Sequence, residues 1–279
     1  MEWWQSLIIG IVEGLTEYLP VSSTGHILLT QRILGIGKSD AADAFAICIQ
    51  GGAIVAVLGL YFQRVRQMAF GVIGRNPEGA RMATNIIAAF IPAAVIGLLL
   101  EKQIKKFLFG GEYGLWPVVV AWFLGGVAIL AVAAWRKNRG PANAGFPLES
   151  LTWKLALIIG LAQCIAMWPG VSRSLLTIVG GVLVGLSLPA AVEFSFLLGV
   201  VTLGAATAYD AYKHGNEMLE AYGWGTLLIG FFASWISAVL AIRWMVAYLK
   251  SHGMQIFGYY RIILAIVVGA LILAGFFQA

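Results

Sequence analysis

The sequence predicts an all-α integral membrane protein made of two inverted-topology repeats, each a re-entrant helix hairpin followed by three transmembrane helices. Of its 279 residues, 60% are hydrophobic and 11% are charged, which is typical of a polytopic helical membrane protein without a sizeable soluble domain. Apolar segments of spanning length recur along the whole chain. A polar motif near the N-terminus returns in altered form near residue 170, and this recurrence indicates an internal repeat.

The first repeat is predicted to cover residues 1–140 and to begin with a hairpin at residues 3–35. The segment Trp3–Leu19 has a helical pattern, and Ile27–Leu34 continues it after a polar turn. The second piece is shorter than the about 20 apolar residues that a span needs, so we expect a re-entrant hairpin whose polar tip lines a cavity. Three spans should follow, at residues 42–62, 82–100 and 115–135.

A polar linker at residues 136–149 is the predicted boundary, and residues 150–279 form the second repeat. Its hairpin is expected at residues 153–186, because Trp153–Trp168 and Leu175–Leu186 again form a broken helix pair. Three further spans are expected at residues 189–209, 224–248 and 258–277. Two short tilted helices in place of each hairpin also fit the sequence, so complete spans there remain an alternative.

The two repeats align residue by residue around their hairpins. Gly10–Glu13 matches Gly160–Gln163 at an offset of 163 − 13 = 150 residues. The same offset relates four further pairs: Val21 and Val171, Ser22 and Ser172, Ser23 and Arg173, and Thr24 and Ser174. Because three spans follow each hairpin, the halves should have opposite orientations, as in many transporters. Glu17 aligns with Met167, so the second half lacks the acids and only one catalytic centre is expected.

The positive charges predict how the chain is oriented in the membrane. Lysines and arginines cluster in alternate connections, at residues 64–81, 136–154 and 243–250, and basic connections favour the cytoplasmic side. Both termini and the mouth of the first hairpin are therefore predicted outside, and the second hairpin enters from the cytoplasm. The net charge of +5 is interpreted as this topology signal. The expected partner is therefore a lipid bilayer, and no binding of nucleic acid is expected.

The stretch Glu13–His26 concentrates ionisable groups inside an apolar segment. Such groups are costly at membrane depth and by default indicate a functional site. Glu13 and Glu17 are four residues apart, so both carboxylates lie on one helix face, where they are suited to hold a metal. Pro20 should end this helix.

The residues after Pro20 suit an anion. Ser22, Ser23 and Thr24 are residue types that cap a helix, and the free N–H groups and the dipole of a helix start attract phosphate. A hydroxyl that can attack and a histidine that can move protons complete the set. The motif therefore points to phosphate chemistry.

The partner motif Pro169–Thr177 supplies a guanidinium. Arg173 is costly to bury, and its fork of donors suits phosphate oxygens. If the two hairpins meet tip to tip, this arginine lies across from Glu17, Ser23 and His26. Carboxylates from one half and a guanidinium from the other would then serve phosphoryl transfer.

These motifs resemble the BacA/UppP family of undecaprenyl-pyrophosphate phosphatases. The resemblance is carried by Glu13–His26 and Pro169–Thr177. Ala191–Leu198 and Tyr260–Arg261 also look like family positions, and the similarity covers essentially the whole chain. Leu175 departs from the family, which usually carries glycine there, so the backbone of this loop is less permissive.

The resemblance implies a multi-pass phosphatase of the bacterial plasma membrane, and the charge pattern predicts that its site faces outward. Its substrate would be an isoprenyl pyrophosphate lipid, and its product undecaprenyl phosphate, the lipid carrier for peptidoglycan. The resemblance also implies a divalent cation, Mg²⁺ or Ca²⁺, and a link to bacitracin resistance. Carried over residue by residue, it assigns nucleophilic attack to Ser23, metal or acid–base work to Glu17, proton transfer to His26 and pyrophosphate binding to Arg173.

Our hypothesis from the sequence is that Ser23 attacks the terminal phosphorus with His26 as its base. Glu17, helped by Glu13, would hold the cation, and a phosphoserine would form. Attack by a metal-bound water fits the same residues almost as well. The other tip residues are assigned to substrate binding: Ser22, Thr24, Gly25, Gly170, Ser172, Ser174 and Thr177. Plain helix capping is the preferred interpretation of the first two.

A transporter is the competing class, because inverted repeats with polar hairpins also suit the flipping of a polyprenyl phosphate lipid. A carrier needs no nucleophile and base on one side, so the acids, Ser23 and His26 in one half only favour the phosphatase. Two interpretations of Glu193 stay open: a hydrogen bond that pairs two helices, or a supporting role at the site. The sequence leaves a homodimer open.

Overall fold

The computed structural model describes residues 1–37, 39–108, 114–137 and 144–276. Its α-helices are α1 (Trp3–Thr16), α2 (Ser23–Ile33), α3 (Asp40–Leu60), α4 (Phe62–Val72), α5 (Pro77–Leu108), α6 (Trp116–Lys137), α7 (Trp153–Cys164), α8 (Arg173–Leu183), α9 (Leu188–Leu249) and α10 (Gln255–Leu273). The all-α class is therefore confirmed. Residues 138–143 of the predicted linker and Phe277, the predicted end of the last span, lie outside the described residues.

Five helices of the described chain are long and apolar enough to cross a membrane. They are α3, the Pro77–Leu99 part of α5, α6, α9 and α10. All three spans predicted for the first half are among them, which confirms an integral membrane protein.

Helix α9 accounts for two of the predicted spans. Its 62 residues would measure about 93 Å at 1.5 Å per residue, about three times the hydrocarbon core of a bilayer. The helical geometry is interrupted at Gly223, where φ is 73° and ψ is 164°. Glycine adopts this conformation without the steric cost that a side chain would add. The break separates the two predicted spans at residues 189–209 and 224–248.

Two segments that the charge pattern treats as connecting loops are helical. Residues 62–72 form α4, and its Gly71 lies directly against the backbone of Gly79 and Ala80 in α5. The polar segment 210–220 continues α9 beyond the predicted span. Met218 is buried there, 3% exposed, in a cluster with Ile9 and Phe45. Tertiary packing of small and apolar side chains thus extends the helices into polar sequence.

Each half contains the predicted broken helix pair, α1 with α2 and α7 with α8. In both pairs the second helix begins after a serine with a positive φ, 73° at Ser22 and 80° at Ser172. Each serine caps its helix: Ser22 Oγ accepts from Gly25 N and Ser172 Oγ accepts from Leu175 N. Within the described ranges, these are the two non-glycine residues with positive φ. They are also 172 − 22 = 150 residues apart.

The hairpins pack across the boundary between the halves. Helix α1 packs against α9, with Gly10 directly on the backbone of Gly230. Helix α7 packs against α5, with Gly160 directly on the backbone of Ala89. Helices α6 and α10 also pack together. Each hairpin thus packs against a helix of the other half, while the inverted-repeat organisation and the opposite orientation of the halves stay predictions.

Candidate active site

The tips of the two hairpins meet at an ion pair between Glu17 and Arg173. The Nη2 of Arg173 donates to Oε1 of Glu17 at 2.9 Å, and the two side chains are 10% and 5% exposed. Close by, Ser174 Oγ donates to the carbonyl of Leu19 at 2.8 Å. The two motifs therefore lie side by side, as the sequence predicts for hairpins that meet tip to tip.

The hydroxyl of Ser23 is hydrogen-bonded to the same carboxylate. Ser23 is the first residue of α2, and its Oγ donates to Oε2 of Glu17. Ser23 is 7% exposed and Glu17 is 6% exposed. Hydroxyl, carboxylate and guanidinium thus form one buried chain, in which each oxygen of Glu17 has its own partner.

The guanidinium of Arg173 makes two further contacts. Its Nη1 donates to the carbonyl of Ser195 at 3.0 Å, and its Cζ lies 5.3 Å from the centre of the Tyr18 ring, a cation–π distance. The hydroxyl of Ser195 lies 2.6 Å from that of Thr177. The Nε of Arg173 is buried without a hydrogen-bond partner among the described residues, so one donor is left for a ligand.

Glu13 lies one helical turn before Glu17 and is 1% exposed. Its Oε1 is buried and has no hydrogen-bond partner in the described part of the chain. An unpartnered buried carboxylate oxygen is costly, and it fits a cation ligand. The described residues contain no group of three or more acidic, histidine or cysteine side chains suited to a metal. Mg²⁺ often takes only one or two carboxylates and completes its shell with water and phosphate, so the Glu13–Glu17 pair fits the predicted cation.

The ring nitrogens of His26 contact groups other than the Ser23 hydroxyl, for which the sequence predicts this histidine as base. Its Nδ1 lies 2.7 Å from the carbonyl of Ser22, and its Nε2 lies 2.7 Å from the hydroxyl of Tyr260. The ring stacks on Tyr260 at 5.7 Å and meets Trp122 edge-on at 5.2 Å. Because the hydroxyl of Ser23 bonds to Glu17 instead, the carboxylate is the nearer proton acceptor.

Arg261 joins both hairpin tips and was not predicted at the site. It is fully buried and donates to backbone carbonyls at 2.8–3.3 Å, those of Pro20, Ala121, Trp122 and Gly170. Pro20 and Gly170 occupy equivalent positions, since 170 − 20 = 150. The signal that could have found Arg261 was its membership of the Tyr260–Arg261 pair among the family positions.

The residues assigned to substrate binding are gathered at the tips, where most of them make internal contacts. Ser22 and Ser172 cap their helices, and Ser172 also contacts Ser174 at 3.0 Å. Thr177 donates to the carbonyl of Arg173 at 2.9 Å. The glycines are packed closely, Gly25 against Trp122 and Gly170 against Val118, whereas Thr24 is exposed.

Glu193 makes an ion pair between helices. Arg64 donates to Glu193 Oε1 through Nε and to Glu149 Oε1 through Nη2, each at 2.7 Å. These contacts connect α4 with α9 and with the short 3₁₀ helix Leu148–Ser150. Of the two interpretations left open by the sequence, the structure shows the helix-pairing contact.

Known proteins are similar in sequence to this chain over nearly its full length. The family model described as "Bacitracin resistance protein BacA" matches residues 6–267. A protein of Sorangium cellulosum named "Undecaprenyl-diphosphatase" is 45% identical over 98% of this chain and 86% of its own length. A protein of the same name from Aquifex aeolicus is 43% identical over 98% of this chain and 100% of its own length. A protein from Chromobacterium violaceum named "Undecaprenyl-diphosphatase 1" is 43% identical over 95% of this chain and 94% of its own length.

The family match spans both hairpin motifs and both halves of the fold. The relatives likewise cover nearly the whole chain at 43–45% identity. The resemblance seen in the two motifs is thereby confirmed, and the chain belongs to the BacA family.

Proposed function

We propose that the protein is an undecaprenyl-diphosphatase. It hydrolyses undecaprenyl pyrophosphate to undecaprenyl phosphate and inorganic phosphate, and so recycles the lipid carrier of cell-wall synthesis. The names of the similar bacterial proteins support this activity. The observation that carries it in this chain is the buried series Ser23–Glu17–Arg173, which joins a nucleophile, a proton acceptor and an anion-binding group.

The first step uses the hydrogen bond between Ser23 and Glu17. Ser23 Oγ attacks the terminal phosphorus as its proton passes to Glu17 Oε2. A P–O bond to the serine forms while the bond to the bridging oxygen breaks, so undecaprenyl phosphate leaves and a phosphoserine remains. Once Glu17 is protonated, the guanidinium of Arg173 loses its counter-charge and is free to stabilise the phosphoryl oxygens.

The second step releases the phosphate. Water takes the place of the Tyr260 hydroxyl at Nε2 of His26, attacks the phosphoserine and gives its proton to this nitrogen. The P–O bond to Ser23 breaks, the proton on Glu17 returns to the serine oxygen, and His26 passes its proton to the departing phosphate. Inorganic phosphate leaves. The histidine thus keeps the proton-transfer role expected from the sequence, but in the hydrolysis of the intermediate and not in the attack by serine.

Glu13 and the unprotonated Glu17 are the proposed ligands of a divalent cation, and Glu13 alone would keep it once Glu17 holds the serine proton. Glu13 contributes the buried oxygen that no described residue satisfies, and the remaining ligands would come from water and substrate, as is usual for Mg²⁺. A bound Mg²⁺ or Ca²⁺ supplies positive charge against the diphosphate oxygens.

The proposed location is the plasma membrane, with the first hairpin open to the outside. The apolar spans and the positive charges in alternate connections support this orientation.

The test is phosphate release from undecaprenyl pyrophosphate by purified protein in detergent, with and without EDTA. Wild type should release phosphate, EDTA should abolish the release, and added Mg²⁺ or Ca²⁺ should restore it. A folded wild type that releases no phosphate with any divalent cation contradicts the proposal. If EDTA leaves the release of phosphate unchanged, the proposed phosphatase activity is retained and the proposed requirement for a cation is contradicted.

A further inference from the structure

Both ring nitrogens of His26 are engaged. Nδ1 lies 2.7 Å from the carbonyl oxygen of Ser22, and a carbonyl oxygen only accepts hydrogen bonds. Nδ1 therefore carries a proton. In the neutral ring Nε2 is then an acceptor, and it lies 2.7 Å from the hydroxyl of Tyr260, which can donate to it.

The surroundings of His26 favour the neutral ring. The ring lies between Tyr260, stacked within 7° of parallel, and Trp122. Arg261, which follows Tyr260 in the sequence, is a fully buried cation whose hydrogen bonds all go to backbone carbonyls. A positive charge on His26 would face this guanidinium. With the ring neutral, the Ser22 carbonyl and the Tyr260 hydroxyl together select one tautomer.

We propose that Tyr260 is a positioning residue for His26. Its hydroxyl donates to Nε2 and its ring stacks on the imidazole, so the histidine is held as the Nδ1–H tautomer with an unprotonated Nε2. This nitrogen is the one that must accept a proton in the second chemical step, so the catalytic part of the inference rests on the proposed phosphatase function.

Tyr260 is more exposed than the serine at the centre of the site. It is 44% exposed, whereas Ser23 is 7% exposed. Tyr260 comes from α10 and His26 from α2, 260 − 26 = 234 residues apart, so the last helix of the second half supports a group of the first hairpin.

The test combines histidine ¹⁵N NMR with kinetics on Tyr260→Phe, which keeps the stacked ring and removes the hydroxyl. The chain has three histidines. The histidine signal that is missing from the spectrum of His26→Gln is assigned to His26. Tyr259→Phe is the matched control, because Tyr259 is the exposed neighbour, 58% exposed. NMR needs no substrate, so this arm does not depend on phosphatase activity.

In the wild type, the His26 signal should have a protonated Nδ1 and an unprotonated Nε2. In Tyr260→Phe the Nε2–H form should become populated, and kcat should fall about five- to tenfold, the worth of one neutral hydrogen bond, with KM within about twofold. Tyr259→Phe should behave as the wild type in both measurements.

An unchanged His26 tautomer in Tyr260→Phe overturns the proposal, as does the same tautomer change in Tyr259→Phe. A changed tautomer with unchanged kcat overturns the catalytic part. If the wild type releases no phosphate, the proposed function fails, while the NMR comparison still decides whether Tyr260 sets the tautomer.

Discussion

At the scale of single residues, the site is organised around one carboxylate. Glu17 accepts from Ser23 with one oxygen and from Arg173 with the other. A carboxylate can do this in a buried site because the guanidinium compensates its charge and both oxygens are satisfied. The sequence predicted that these residues meet, since both motifs lie at hairpin tips. It could not predict which group takes the serine proton, because that depends on side-chain directions within a few ångströms.

Arg173→Lys tests whether the fork of the guanidinium matters. One ammonium cannot reproduce bonds to both Glu17 and the carbonyl of Ser195, so kcat should fall about a hundredfold or more, as when one oxyanion donor is lost. The measurement is phosphate release at saturating substrate. Arg243→Lys, on an exposed position of α9, should keep wild-type turnover, and equal losses in both variants would contradict the assignment.

Glu13→Gln tests the cation site. The amide keeps the shape of the side chain and removes the charge, so the cation concentration for half-maximal activity should rise about tenfold or more, because hard cations prefer charged oxygen ligands. Titration of activity with Mg²⁺ and with Ca²⁺ measures this. The exposed Glu78→Gln should leave the titration unchanged. A Glu13→Gln variant with the wild-type cation requirement would exclude Glu13 as a ligand.

At the scale of elements, the broken helices follow from local sequence and their positions from packing. Proline and serine predict the end of α1 and the start of α2, and the equivalent serine, Ser172, caps α8. The helical nature of residues 210–220 was missed because most of the segment is polar, and that of residues 62–72 because its two arginines were interpreted as a topology signal in a loop. Their helices depend on Gly71 against α5 and on Met218 in an apolar cluster, contacts that no local pattern contains.

Gly160→Ala tests the packing of the second hairpin. A Cβ at Gly160 would strike the backbone of Ala89, and overpacking of this kind costs about 1–3 kcal/mol. Thermal unfolding of the detergent-solubilised protein should therefore begin at a lower temperature than in wild type. Gly59→Ala is the control, because a Cβ there meets no atom within 4 Å. Equal stability of the two variants would show that α7 does not depend on this contact.

At the scale of the whole molecule, two halves build a single site. The first half supplies Glu17, Ser23 and His26, and the second supplies Arg173, Tyr260 and Arg261. The offset of 150 residues and the loss of the acids in the second half predicted one centre at the hairpin tips. The contributions of α10 were not predicted, because an apolar helix near the C-terminus gives no signal of what its Tyr260 and Arg261 contact.

The opposite orientation of the halves is tested by cysteine labelling. The two native cysteines, Cys48 and Cys164, are first replaced by alanine. Tyr212→Cys, at a position that is 93% exposed, should react with a membrane-impermeant maleimide in intact cells. Arg75→Cys, in the basic connection between α4 and α5, should react only after permeabilisation. Labelling of both from the same side would contradict the predicted topology.

The most direct test of the shared site is a double-mutant cycle on kcat for phosphate release, with Ser23→Ala, Glu17→Gln and the double variant. Residues that act as one unit are not additive, so each single variant should lose about a hundred- to ten-thousandfold and the double variant little more. Losses that multiply would contradict the coupling of Ser23 to Glu17. Wild-type turnover in Ser23→Ala would exclude this serine as the nucleophile and favour attack by water.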